Sequence, residues 1–286
     1  MPIFGYIGLR QKVMEAKLIT LITDFGYKDP FVGIMKGVIF GINPSATIID
    51  LSHGISPQDV LAGALVLRHA VPFFPGGTIH VAVVDPGVGS SRRPLLIESE
   101  GSFFVGPDNG ILSLALEGKK ISRMIDLSNK LYHLNPASTT FHGRDVFAPV
   151  AAYLSLGIPP EDFGTTVHDF AHLPWPEVTK TGGALVGKVI YIDAFGNLIT
   201  NVRDRDLSAL HPEKPMISVA GVTVEGLASH YSSGQEGGYT ALINSWGLLE
   251  ISSFKGNAQL LCGAKVGDEV LVRNSQESEQ QAQAKI

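Results

Sequence analysis

Three short stretches set acids, guanidinium groups and an imidazole among glycines. They are Thr-Asp-Phe-Gly-Tyr-Lys-Asp (23–29), Asp-Pro-Gly-Val-Gly-Ser-Ser-Arg-Arg (85–93) and Phe-His-Gly-Arg-Asp (141–145). Carboxylate, guanidinium and imidazole are the groups of acid–base and electrostatic catalysis. Two further stretches, Asp-Ala-Phe-Gly-Asn-Leu-Ile-Thr-Asn (193–201) and Asn-Ser-Trp-Gly-Leu-Leu-Glu-Ile (244–251), stand out in the second half. Each has a plainer reading. Asp24 closes a turn, Asp85-Pro-Gly is ordinary turn chemistry, Arg92 pairs with a surface acid, His142 caps a helix, and Asp193 to Asn197 form an Asx turn. Asp24, Asp85 and His142 could also ligate a metal, but Arg92 beside Asp85 would repel a divalent ion, so no metal is expected. The glycine spacings match neither the dinucleotide fingerprint nor the P-loop. His53 and His80, flanking or within strands, read as structural.

The elements that must carry these residues alternate in the first half. Leu18 to Thr23 reads as a strand, and Asp29-Pro30 as the cap and first position of a helix. Phe31, Ile34, Met35, Val38, Ile39 and Ile42 share one face of that helix, which Asn43-Pro44 ends. Thr47 to Leu51 is the next strand. Ser56-Pro57-Gln58-Asp59 opens a helix over Val60 to Val71, and Thr78 to Val84 is a third strand. Strands separated by helices pair in parallel through right-handed crossovers, and ligands gather at their carboxyl ends. Asp24 and Asp85 stand at those ends, so both should face a cleft. Pro94–Ile97 and Phe103–Val105 read as a hairpin, and Arg144–Leu156 as a helix distorted at Pro149. Beyond His172 the pattern changes to short β-rich runs punctuated by glycine, which suggests a small barrel or sandwich. The predicted fold is an α/β N-terminal domain with a central, mostly parallel sheet, followed by a smaller all-β, barrel-like domain. The boundaries read 1–17 (an extension), 18–175 (α/β), 183–273 (β) and 274–286 (a tail).

Composition excludes several classes. A net charge of −5 over 286 residues, with no dense basic stripe, argues against nucleic-acid binding. No run approaches the roughly 18 apolar residues that span a bilayer. The single Cys262 cannot form an internal disulfide, and the economical reading is a reducing, cytoplasmic setting.

Taken in order, T-D-F-G, V-D-P-G-V-G-x-x-R, F-H-G-R-D, F-G-N and N-S-x-G-x-L-E make the chain, over about Leu18 to Arg273, resemble the S-adenosyl-L-methionine hydrolases that form adenosine. These are relatives of the fluorinase and chlorinase that attack the same substrate with halide. The resemblance implies a homotrimer with active sites between subunits, and no cofactor. It implies that Asp85, Arg92 and His142 activate water. Asp24 should hold the ribose hydroxyls and Asp29 the methionine ammonium. Phe141 and Phe195 should enclose the nucleoside, and Asn197, on the Asp193 turn, should read the adenine edge. Ser245 and Trp246 should meet the methionine carboxylate, with Glu250 and Ser253 completing the contacts. In the halogenating relatives a tyrosine stands at the position of Asp85 and a serine at that of Gly143. The implied reaction is hydrolysis at C5′ to adenosine and L-methionine. The alternatives are a halide-dependent 5′-halo-5′-deoxyadenosine synthase and a nucleoside- or S-adenosyl-L-methionine-binding protein with little turnover.

Overall fold

The computed structural model describes residues 18–210 and 214–274, so the expected N-terminal extension and most of the tail lie outside the described residues. The described residues form two units that divide between Leu173 and Pro174.

In the first unit β1 (Leu18–Thr23), α1 (Phe31–Ile42), β2 (Thr47–Ser52), α2 (Val60–Ala70) and β3 (Ile79–Val83) follow one another, a helix joining each pair of strands as parallel pairing requires. The hairpin β4 (Pro94–Ser99) and β5 (Ser102–Pro107), a short α3 (Ser113–Leu116), β6 (Ile121–Asp126), α4 (Ala148–Ser155) and the two-residue β7 (Thr165–Thr166) complete it. The sheet order is β2-β1-β3-β5-β4-β6-β7. The pairings β2-β1-β3-β5 are parallel, and the rest are antiparallel because a hairpin must turn back. Alternation along the strands sorts the core. Ile19, Leu21, Val81 and Val83 join Met35, Ile39, Val150 and Leu154 of α1 and α4 in one apolar cluster.

Two helix starts differ from expectation. α1 begins at Phe31 with Pro30 at its cap position, so Asp29 does not cap it and stays exposed. Its buried stripe is Val32, Met35 and Ile39, while Ile34 faces outward and Phe31 stays partly exposed at the cleft, because a helix apolar on nearly every side hides only the stripe its neighbours cover. α2 is capped by Asp59, whose carboxylate accepts from Ala62 N, and not by Ser56. Gln58, at φ +68°, lies outside the helical region and delays the start. The expected distortion of the Arg144–Leu156 helix is a π-turn over Gly143–Phe147 that precedes α4, whereas Pro149 sits harmlessly in the first turn of α4.

His80 is fully buried in β3; Thr20 Oγ1 lies 2.8 Å from its Nδ1, and its Nε2 has no hydrogen-bond partner among the described residues. Burial pulls its pKa down to about 4. The unfolded chain binds a proton here below about 6.5, and the folded chain does so only near 4. Stability from this residue is therefore complete above 6.5 and lost as pH falls toward 4, by up to about 1.4 kcal/mol per unit. Urea midpoints measured from pH 7 to 4.5 should drop less in His80→Gln than in the parent protein.

The second unit contains β8 (Thr179–Thr181), β9 (Ala184–Ile192), β10 (Leu198–Arg203), α5 (Asp204–Leu210), β11 (Pro215–Val219), β12 (Val222–Glu225), β13 (Tyr239–Ile243), β14 (Leu248–Ser253), α6 (Ala258–Cys262) and β15 (Glu269–Asn274). Its antiparallel order, β12-β11-β15-β9-β10-β14-β13 with β8 added beside β9, is a nearly closed, barrel-like sheet. Leu185, Val202, Ile217, Leu249 and Val270 fill its interior. Among the described residues no helix is long and apolar enough to cross a membrane.

Candidate active site

The carboxyl ends of β1 and β3 open into a cleft of about 980 Å³, at the upper end of the roughly 300–1,000 Å³ usual for small-molecule sites. Asp24, Asp29, Asp85, Phe141 and His142 line it, and Arg92 stands behind Asp85. The six residues expected from the first half thus converge.

Asp85 ends the apolar run of β3, and the Pro86–Ser90 turn brings Arg92 back onto it. Arg92 Nε donates to Asp85 Oδ1 at 2.9 Å and Arg92 Nη2 donates to Oδ2, a bidentate pair with both side chains less than 10% exposed. The same Nη2 reaches His142 Nδ1 at 2.8 Å. Its two hydrogens serve the two acceptors. Guanidinium only donates, so Nδ1 accepts, and the proton of the neutral ring lies on Nε2. Burial, reinforced by the Arg92 charge, holds His142 below the ordinary imidazole value, so the ring is neutral at neutral pH. The two arginines divide the work. Arg93 turns away and binds Asp108 (2.9 and 2.7 Å) and Asp169 (2.9 Å), fastening neighbouring loops.

The loop bearing Asp85 is held against the loop bearing His142 by a close backbone approach. Gly89 has φ +78°, and a Cβ there would overlap the Thr139 carbonyl oxygen, so this position requires glycine. The His142 loop is anchored in turn by Asp145, which is 1% exposed. Its carboxylate accepts from Arg144 Nε (2.6 Å) and Nη2 (3.0 Å), Ser138 N (2.8 Å) and Ser138 Oγ (2.7 Å). Burial pushes its carboxyl up, but these donors outweigh burial and hold it below the usual range. Asp145→Asn sets an amide N–H against a donor. A loss of about 1–3 kcal/mol in unfolding free energy is expected, together with reduced activity as the loop loosens.

Asp24 is half-buried, and its Oδ2 accepts from Gln58 N at 2.8 Å. The positive φ of Gln58 aims that N–H into the cleft. Phe25, Phe31 and Phe141 form an edge-to-face wall with centroids 5.3–5.7 Å apart. Sequence reasoning missed Phe25, Phe31 and Gln58. Phe25 lay inside a stretch already singled out, whereas the other two show no local signal.

The residues expected from the second half form their own group. Asp193 closes the turn after β9. Its Oδ1 accepts from Phe195 N and Asn197 N (both 2.9 Å), and its Oδ2 accepts from Asn197 Nδ2 (2.9 Å). The Asx turn is therefore real, and it also orients the Asn197 amide. Phe195 is 76% exposed. Asn244 shapes the turn carrying Ser245 and Trp246, and its Nδ2 donates to Glu250 Oε2 at 3.0 Å. Trp246 lies against Tyr191. Glu250 is buried, and burial raises its pKa against the opposing hydrogen bonds of Asn244 and Tyr231. Tyr231, not foreseen, is pushed up to about 12 by burial and by the Glu250 charge. Ser253 is buried with its hydroxyl unpartnered among the described residues. No group of three His, Cys, Asp or Glu side chains fit to hold a metal occurs among the described residues.

The profile of the SAM hydroxide adenosyltransferase N-terminal domain matches residues 19–164, and that of the C-terminal domain matches 187–271. The chain is 36% identical to the (R)-S-adenosyl-L-methionine hydrolase of Methanocaldococcus jannaschii, over 92% of this chain and 98% of that one. It is 30% identical to the fluorinase of an Actinoplanes species, over 66% and 73% respectively. A crystal structure of an uncharacterised protein from Thermotoga maritima superposes with a TM-score of 0.83 at 33% identity, covering 90% of this chain and all of the other.

Proposed function

The chain belongs to the SAM hydroxide adenosyltransferase family, and from that premise we propose that it hydrolyses S-adenosyl-L-methionine to adenosine and L-methionine. The single observation that carries this reading is the convergence of Asp85, Arg92 and His142 at one wall of the cleft.

The leaving group is a neutral thioether, so its departure needs no acid. The demand falls on the nucleophile. Water must lose a proton as its oxygen closes on C5′, while the sulfonium charge is neutralised. With Nδ1 occupied by Arg92, His142 offers Nε2–H as a donor to the water oxygen. Asp85 retains a free lone pair on each oxygen beside the Arg92 bonds and is the proton acceptor in this proposal. Arg92 fixes the carboxylate and balances its charge in a pocket where attraction is weakly screened. Asp24 takes the ribose hydroxyls, held by Gln58 N, and Asp29 takes the substrate ammonium.

Phe195, Asn197, Ser245, Trp246, Glu250 and Ser253 enclose adenine and methionine from a neighbouring protomer of a homotrimer in this proposal. The large exposure of the Phe195 ring supports that part. Mixing Asp85→Ala and Asn197→Ala proteins, each impaired, should restore activity if one site draws on two chains. A cytoplasmic location accompanies the reading, in keeping with a chain that carries a single cysteine.

Incubating the protein with S-adenosyl-L-methionine should release adenosine and methionine in equal amounts. Substrate binding without adenosine would leave the binding-protein reading. Halide attack is disfavoured by Asp85 and by Gly143, which supplies no hydroxyl to a halide and where a Cβ would lie 3.2 Å from both Met35 Sδ and the Phe141 ring. A halogenated nucleoside as main product in the presence of fluoride or chloride would reverse that preference.

A further inference from the structure

His53, read from sequence as structural, is the hub of a chain of contacts beneath the cleft. It follows β2 and is 2% exposed. Its Nδ1 lies 2.7 Å from Thr23 Oγ1, at the end of β1, and its Nε2 lies 3.1 Å from Asp50 Oδ1. Lys36 Nζ donates to the other Asp50 oxygen at 2.6 Å. The Nε2–Asp50 approach falls outside hydrogen-bond geometry, but the facing carboxylate draws the proton of the neutral ring to Nε2, and Thr23 O–H donates to Nδ1. Thr23 Oγ1 then accepts from Phe25 N at 3.2 Å. The His53 carbonyl accepts from Gly26 N at 2.8 Å, and the Tyr27 ring packs edge-on against the imidazole, 5.2 Å away. Every residue flanking Asp24 from 23 to 27 is thus tied, directly or through one atom, to His53 or its carboxylate partner.

These ties exceed what a strand end requires. Thr23 is already fixed by its pairing with Val83 of β3, and Ser52, the neighbour of His53, by its pairing with Ile22. What the relay adds is the direction of the four residues after Thr23, including Asp24 and Phe25, which line the cleft. We infer that His53, acting through Thr23 and backed by Asp50, is a positioning residue that presets the Asp24–Phe25 loop for the ribose of the substrate. This inference rests on the reading of Asp24 as a ribose ligand. It assigns His53 no part in proton transfer, because the ring is enclosed and its Nδ1 and Nε2 face Thr23 and Asp50.

The test compares His53→Leu, the near-isosteric Thr23→Val, and His53→Asn, whose amide oxygen can take the place of the Nδ1 acceptor. His53→Leu and Thr23→Val should each raise KM, and the dissociation constant of adenosine by calorimetry, about tenfold while kcat falls by less than about threefold. The double variant should be no worse than either single one, since one path is cut twice. His53→Asn should recover most of the affinity. Unchanged adenosine affinity in a folded Thr23→Val protein would overturn the inference, as would additive losses or unfolding of both single variants. A parent protein that binds adenosine without hydrolysing its precursor would remove the hydrolase reading and leave this one standing, provided the tenfold losses are found.

Discussion

Replacing Asp85 by Asn should lower kcat for adenosine formation by roughly 10³-fold or more while KM changes by less than about threefold. The expectation follows from what the amide can still do. It keeps the shape of the carboxylate and one acceptor oxygen, so it satisfies one Arg92 N–H. Its NH₂ confronts the other, and it cannot take a proton from water. General-base assistance is usually worth about 10²–10⁴-fold, and here the misdirected Arg92 adds to the loss. Asp85→Ala should be as inactive but also less stable, because it strands a guanidinium whose Nη1 already lacks a hydrogen-bond partner among the described residues in a buried setting. Single-turnover assays, with substrate binding measured separately, provide the check. A rate within tenfold of the parent would remove Asp85 as proton acceptor and return that role to His142 or to hydroxide drawn from solution.

Arg92→Lys should cost roughly 10²-fold in kcat despite preserving the charge. Three contacts depend on the planar fork: Nε and Nη2 on the two Asp85 oxygens, and Nη2 on His142 Nδ1. A lysine ammonium is a single point and cannot span these acceptors in one plane. Asp85 would then rotate, and the His142 ring would be free to place its proton on Nδ1, which removes the Nε2–H donor. Arg92→Ala should do more. It leaves a carboxylate buried without its partner and should lower unfolding free energy by about 3–5 kcal/mol in addition to abolishing turnover. The comparison separates two possibilities. If Arg92→Lys keeps the parent rate, charge alone suffices and the fork geometry is irrelevant to the reaction.

Both expectations depend on contacts of unequal legibility. The run ending at Val84 followed by Asp85-Pro-Gly announced a strand with a polar tip, since apolar periodicity and turn residues act over a few neighbours. The Asx turn at Asp193 was legible for the same reason. Helix starts were less so. Ser56 and Asp59 offer similar caps, and the choice fell to Gln58, whose left-handed backbone is stabilised by a bond to Asp24, 34 residues away.

By itself, then, the sequence determined the alternation of strands and helices, the change to β structure in the second half, and the five ordered motifs that mark the family. These are properties of short segments, where backbone preference, side-chain period and residue spacing suffice. Only the tertiary structure decided that Arg92 grips both Asp85 oxygens while reaching His142, that His142 offers its Nε2–H, and that His53 is tied to the substrate loop. Such facts depend on strand order and on side chains brought together from 7 to 50 positions apart. A hydrogen bond is fixed by angles and a few tenths of an ångström, and no local preference encodes that until the sheet has set both partners in place.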